Sequence, residues 1–145
     1  PRVRRQRQMC IRDSSISPET QVIDFGKFNL LDIRRHTMSK TFSIKTTKSQ
    51  NDQCTDGFKV SSSFYTEETL VEEDKALLIG NGLKLRLLDE NASPYTFNKY
   101  AEYADFTSDM LVYEKTYTAE LSSIAGTPIE AGPFDTVVLF KINYN

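Results

Sequence analysis

The feature that most constrains this chain is its last fourteen residues, 132–145, in which a glycine opens a long alternating run. Because successive side chains of a strand point to opposite faces, one face collects Phe134, Thr136, Val138, Phe140, Ile142 and Tyr144. The other face mixes polar residues with Val137 and Leu139. A strand this apolar aggregates if its edge stays open. We therefore expect another segment to pair with it, since strand addition makes such contacts specific.

Alternating segments recur along the rest of the chain and predict an all-β fold. Leu83–Leu87 is the cleanest, because its leucines share one face and its basic residues the other. Three further segments are rich in β-branched or aromatic residues: 41–46, 58–64 and 110–121. Turn residues separate the segments, for example at Gly80-Asn81-Gly82 and Gly126-Thr127-Pro128. Short strands at this spacing predict a β-sandwich.

Two polar stretches are predicted to be loops. Residues 49–57 are wholly polar around Cys54, and residues 67–75 hold five acidic residues in nine positions. Most aromatic residues fall on strand faces and are predicted to lie in the core. Three tyrosines are loop-like in sequence and are the candidates for contact with a sugar or a protein: Tyr95, Tyr100 and Tyr103.

The chain lacks the residue patterns of an enzyme. Its single histidine, His36, lies beside arginines, and no nucleophile elbow, glycine-rich phosphate loop or Cys/His metal spacing occurs. Carboxylates of the 67–75 stretch could in principle act as a pair, but they lack the apolar pocket that would raise the pKa of one of them. We therefore predict no enzyme, no catalytic residue, no cofactor and no metal. The length predicts one domain, and no apolar run approaches the roughly 18–20 residues that cross a bilayer.

Gly132 and Tyr144 resemble a signature of pilin subunits of the bacterial chaperone–usher pathway, in which a glycine and a penultimate tyrosine mark the segment that a periplasmic chaperone binds. The similarity continues upstream. The matching segments are Val22–Gly26, Phe42–Lys45 followed by Cys54, Ala76–Asp89, and Phe106–Leu121 followed by Ala125-Gly126. Their order, together with the terminal signature, extends the resemblance over residues 20–145.

This resemblance implies an incomplete immunoglobulin-like β-sandwich, a pilin fold that lacks its seventh strand. The core would open along a groove between the first and the C-terminal strands. A chaperone strand would bind in the periplasm to Gly132 and to the six residues of the apolar face, here called inward: Phe134, Thr136, Val138, Phe140, Ile142 and Tyr144. At the outer-membrane usher, the N-terminal segment of a neighbouring pilin subunit would replace that strand. The implied role is a structural subunit of an extracellular fimbrium that polymerises by donor-strand complementation and exchange. It would contribute to cell adhesion and meet a host receptor only through the assembled fibre.

Two other assignments remain open. The same resemblance fits the C-terminal pilin domain of a two-domain tip adhesin, since the residues that would separate it from a stacking subunit lie upstream. The chain could also be an unrelated extracellular β-sandwich that binds carbohydrate or protein through loops such as 94–103. Such a protein would be complete without an added strand.

The start of the chain requires a separate interpretation. Arg4–Ser14 matches, over eleven consecutive residues, one reading frame of the transposase adapter used to prepare sequencing libraries. We interpret residues 1–14 as such an artefact and residues 15–145 as a single pilin domain that is truncated at its N-terminus. The alternative is a native basic arm, which would favour an anionic partner such as nucleic acid or a membrane.

Setting this segment aside changes the charge and the cysteine arguments. The whole chain has 18 basic and 20 acidic residues, whereas residues 15–145 have 13 and 19, a formal charge near −6. Such an acidic protein is not predicted to bind nucleic acid. Cys54 then lacks a partner, and the resemblance implies that its disulfide partner lay upstream of Ser14. Were residues 4–14 native, Cys10 would be that partner. The remaining alternative is that Cys54 is a free surface thiol of an intracellular protein.

Overall fold

The computed structural model describes residues 23–47, 57–107 and 110–144. These residues form one short helix and eight strands. In chain order they are α1 (Leu30–Arg35), β1 (Met38–Thr47), β2 (Phe58–Tyr65), β3 (Leu70–Val71), β4 (Ala76–Gly80), β5 (Leu83–Leu88), β6 (Ala101–Phe106), β7 (Val112–Ser123) and β8 (Leu139–Tyr144). The prediction of an all-β fold is confirmed.

The strands form two antiparallel sheets. The five-stranded sheet has the order β1-β7-β5-β4-β3, and the three-stranded sheet has the order β6-β2-β8. The longest pairing joins β1 to β7 over ten residue pairs, from Met38↔Leu121 to Thr47↔Val112. β8 pairs with β2, with Phe140 opposite Phe64 and Ile142 opposite Ser62. Each sheet therefore has two edge strands, which pair with a described strand on one side only: β1 and β3 in the first sheet, β6 and β8 in the second.

The core lies between the inner faces of the two sheets. Its central cluster joins Phe64 of the three-stranded sheet to Ile44, Leu85 and Tyr117 of the five-stranded sheet. A second cluster, around Val60 and Phe106, fills one side of the three-stranded sheet. In β5 the leucines at 83, 85 and 87 are buried while Lys84 and Arg86 are half-buried, so the predicted alternation of this strand is correct.

The helix α1 was not predicted, because the sequence pattern indicated strands throughout. The Asn29 side-chain oxygen accepts a hydrogen bond from the Leu31 backbone N–H and so caps its first turn. Ile33 is the buried residue of the helix, and it packs against Leu83 and Leu121. His36, which follows the helix, is exposed, as expected of a histidine beside arginines.

One of the three tyrosines assigned to loops, Tyr103, lies in a strand, while Tyr95 and Tyr100 lie in loops as predicted. Tyr103 belongs to β6 and is 2% exposed, so its assignment as a contact residue was wrong. The cause is a β-bulge: Val60 pairs with Ala104 and Ser61 with Glu102, which leaves Tyr103 as the extra residue, buried beside Ala104. Tyr95 is half-buried against the central cluster, and Tyr100 remains exposed.

The acidic 67–75 stretch is partly a loop, as predicted, but it also contains the two residues of β3. A turn at 72–75 connects β3 to β4, and Glu72, Glu73 and Asp74 all have positive φ values there, between 56° and 65°. The segment 4–14 and both cysteines, Cys10 and Cys54, lie outside the described residues, so the adapter and disulfide predictions are not tested.

Candidate strand-binding site

The last residues of the chain, 132–145, are called the terminal run, and the face of this run that points towards the core is only half covered. We call the described inward side chains of this run the terminal face: Phe134, Thr136, Val138, Phe140 and Ile142. All five are of intermediate exposure, and the residues between them are exposed. The inward leucines of β5, by contrast, are buried. The terminal face therefore presents apolar surface that the rest of the described chain does not cover.

The backbone of the same run is short of hydrogen-bond partners. β8 pairs with β2 along one edge, and its other edge pairs with none of the described strands. The ladder to β2 ends at the pair Tyr65↔Leu139. Within the described residues, no backbone–backbone hydrogen bond outside the regular elements involves residues 134–138. An extended segment laid beside the run would supply these missing bonds.

The opposite side is formed by the chain that precedes and includes β1. Ile23 and Phe25 pack against the central cluster without belonging to a strand. The Phe28 ring lies 5.8 Å from the Phe134 ring, centroid to centroid. The Lys40 Nζ of β1 donates to the backbone oxygen of Asp24 at 2.6 Å, which holds this segment beside the free edge of β1. The first and last parts of the described chain thus flank the same region, as the sequence resemblance implied.

Beneath the terminal face lies a cluster of aromatic rings. Phe140 packs 5.5 Å from Phe64, and Phe64 packs edge-on to Tyr117 at 5.2 Å. Phe42 stacks on the other side of Tyr117 at 5.5 Å. Burial raises the pKa of Tyr117, and its hydroxyl has no hydrogen-bond partner among the described residues. Burial and the carboxylates of Asp89 and Glu90 raise the pKa of Tyr95 to about 12.

The terminal run begins at a glycine whose conformation other residues rarely adopt. Gly132 has a φ of 135°, so a side chain there would be strained even though space for a Cβ exists. The Asn81 side-chain amide donates to the backbone oxygens of Gly132 and Pro133, at 3.3 and 3.2 Å. These bonds tie the start of the run to the β4–β5 turn. Gly132 therefore has a backbone geometry that favours glycine.

The structure places the predicted site residues along one extended run. Phe140 and Ile142 lie in β8, whereas Phe134, Thr136 and Val138 precede it without a ladder. The single long strand predicted from the sequence is therefore shorter than expected. The Tyr144 backbone pairs with Val60, and its side chain lies outside the described part of the chain.

Sequence reasoning missed three residues near the site: Ile23, Phe25 and Phe28. Their spacing, with glycine and lysine between the phenylalanines, shows neither the helical nor the strand period. The Val22–Gly26 match covers Ile23 and Phe25 and was the signal that could have placed them, whereas Phe28 lies outside it. No cluster of three or more His, Cys, Asp or Glu side chains that could hold a metal occurs within the described residues. No described helix has the length and apolar character needed to span a bilayer.

These features define a class of fold, a two-sheet β-sandwich with a half-covered face beside its terminal strand. No family model matches the chain. Solved structures of pilus subunits share the fold. The chain is similar to the P pilus rod subunit PapA with 18% identity and a TM-score of 0.71, over 92% of this chain and 99% of that one. It is also similar to a subunit of a chaperone–usher pilus studied for rod uncoiling, with 18% identity and a TM-score of 0.66, over 92% of this chain and 88% of that one. The chain therefore has a pilin-like fold.

Proposed function

We propose that this chain is a structural subunit of a bacterial chaperone–usher fimbria, with residues 15–145 as its pilin domain. The observation that carries the proposal is the half-covered terminal face beside an unpaired strand edge. The pilin-like fold and the glycine at 132 support it. A periplasmic pilus chaperone would cover the face first, and a neighbouring pilin subunit would replace it at the usher. The assembled product would be an extracellular fimbrium that contributes to adhesion.

The physical basis is completion of an unfinished sandwich. An inserted strand forms backbone bonds to the open edge of β8, and these bonds fix its register. Its alternate side chains cover the terminal face. If four or five apolar donor residues are buried, the gross contribution is on the order of 6–15 kcal/mol. This is comparable with the whole stability of a domain, so the subunit alone is expected to be marginal.

Chaperone capture tests this proposal. The double variant Phe140→Ala/Tyr144→Ala removes two large groups from the proposed chaperone-binding strand. When each form is co-expressed with the cognate periplasmic chaperone, we expect much less of the variant to co-purify than of the wild type. The matched control is Leu31→Ala, because Leu31 is an exposed apolar residue of α1 that does not belong to the terminal face. Undiminished capture of the double variant would contradict the proposal.

The alternatives lead to different expectations. A tip-adhesin pilin domain would use the same face, but a whole binding domain would precede it in the gene. Adapter-independent sequencing upstream of the Ser14 codon distinguishes these two cases. An unrelated sandwich that binds ligand through loop 94–103 would fold and remain monomeric without a chaperone. Burial of Tyr103 and partial burial of Tyr95 leave Tyr100 as the exposed aromatic of that loop, which weakens this alternative.

A further inference from the structure

The outward side of the terminal run carries apolar residues that the strand-addition model leaves unexplained. Val137 is 74% exposed and Leu139 is 50% exposed. The other outward residues of the run are polar, namely Asp135, Lys141 and Asn143. A strand face that only meets water needs no such side chains, and two of them at alternate positions form a short apolar stripe.

The stripe has a partner on one flank only. Leu139 lies opposite Tyr65 of β2, and the Lys141 ammonium lies 3.8 Å from the centre of the Tyr65 ring. Tyr65 therefore borders the stripe on the β2 side. On the other flank lies the open edge of β8. Val137 precedes the ladder, so it has no cross-strand neighbour among the described strands on either flank.

We propose that Val137 and Leu139 are specificity residues that select the strand added beside β8 through its outward face. The preferred partner is an extended segment that places apolar, β-branched side chains opposite this stripe, in addition to the apolar residues it turns towards the terminal face. This inference rests on the proposed function, because it assumes that a strand binds at this edge. It adds that the strand is recognised on both of its faces.

The expected effect follows from cross-strand pairing. Each favourable side-chain pair across neighbouring strands contributes about 0.2–1 kcal/mol, so two pairs change the affinity roughly two- to thirtyfold. A difference of this size does not decide whether a strand binds. It is large enough to decide which of two similar segments binds when both are present.

Two synthetic peptides test the inference. In both peptides every second residue is an isoleucine, which faces the terminal face. The residues between them face outward and are all valine in one peptide and all serine in the other. Because every outward position is the same within a peptide, the comparison does not depend on register. Binding to the full chain is measured by the change in intrinsic tyrosine fluorescence. We expect the wild type to bind the valine peptide roughly two- to thirtyfold more tightly than the serine peptide. The variant Val137→Ser/Leu139→Ser is expected to lose this preference.

The control is Leu31→Ser, which removes an exposed leucine elsewhere and should keep the preference. Both substituted side chains of the test variant are exposed, so its fold is expected to be intact, and binding of the serine peptide reports on that directly. Equal binding of the two peptides by the wild type would overturn this inference and leave strand addition standing. Binding of neither peptide by the wild type would overturn both.

Discussion

Gly132 combines an unusual backbone angle with a fixed position, and this makes it a sharp test at the scale of one residue. Gly132→Val forces a β-branched side chain into a φ of 135°, which costs on the order of 1–3 kcal/mol. We expect the free energy of unfolding to fall by this amount in denaturant titrations. The neighbouring Ala131→Val adds the same side chain at a position without positive φ and should change stability little. Equal effects of the two substitutions would contradict the assigned role of the glycine.

Two buried tyrosines differ in what their hydroxyls bond to. The Tyr103 and Thr46 hydroxyls are hydrogen-bonded at 3.0 Å, whereas the Tyr117 hydroxyl has no partner in the described part of the chain. Tyr103→Phe should therefore cost about 1 kcal/mol. Tyr117→Phe should leave stability unchanged or raise it by about 1–3 kcal/mol, because it removes an unsatisfied polar group. Thermal unfolding of the pair provides the measurement, and a clear loss of stability in Tyr117→Phe would show that its hydroxyl has a partner in solution.

The buried tyrosines also predict how stability depends on pH. Burial raises the pKa of Tyr95 to about 12 in the folded chain, while an unfolded tyrosine titrates near 10. Above about pH 10 the unfolded state loses the Tyr95 proton, which the folded state keeps. The contribution of Tyr95 to the free energy of unfolding is therefore complete below pH 10 and is lost as the pH rises towards 12. The denaturant concentration at which half of the protein is unfolded should fall between pH 8 and 12, and Tyr95→Phe should make this fall less steep. A midpoint unchanged across this window would contradict the prediction.

At the scale of elements, the terminal run divides into two parts with different hydrogen bonding. The amides of β8 that face β2 are bonded in the ladder, whereas residues 134–138 lie outside it. We expect amide hydrogen exchange to be fast at 134–138 in the isolated chain and slower within β8. Addition of the valine peptide described above should slow exchange at 134–138. Protection of that segment before any peptide is added would show that its bonds are already made.

Elements with strict alternation could be predicted from the sequence, and those shaped by tertiary contacts could not. β5 could be predicted from its alternating leucines because one face of the strand is buried and the other meets solvent. The bulge at Tyr103 breaks the period of β6, so alternation assigned this residue to a loop. α1 has six residues, too few for a helical period to stand out, and its burial depends on Ile33 alone. The ladder between β8 and β2 ends at Leu139 because β2 ends at Tyr65, and the end of β2 cannot be inferred from the sequence of the terminal run.

For the whole molecule, supplying the missing strand in cis should raise stability. An alternating isoleucine strand joined behind Asn145 by a flexible Gly/Ser linker acts at a high effective concentration. If that concentration exceeds its dissociation constant a hundredfold, the gain is about 2.7 kcal/mol, a rise in melting temperature on the order of 10 °C. The control fusion replaces the isoleucines by serine. Equal melting temperatures for the two fusions would mean that the terminal face does not accept a strand.

The candidate site could be predicted in part at this scale. Five of the six inward residues of the run have described side chains, and all five lie on one half-covered face, as alternation and the pilin resemblance indicated. The opposite side could not be derived from periodicity. Ile23, Phe25 and Phe28 reach it through packing against distant residues such as Phe134, rather than through a regular strand.

The edges of the two sheets determine how many partners the molecule can take by strand pairing. β3 offers two residues beside a turn that carries Glu72, Glu73 and Asp74, and charge on so short an edge discourages pairing. β6 exposes Glu102 and Asp105 and contains the bulge at Tyr103. The remaining edges, β1 and β8, border the region of the terminal face. If the proposed strand binds there, the described edges would accept one strand per molecule, and copies that joined through it would form an unbranched chain rather than a spreading sheet.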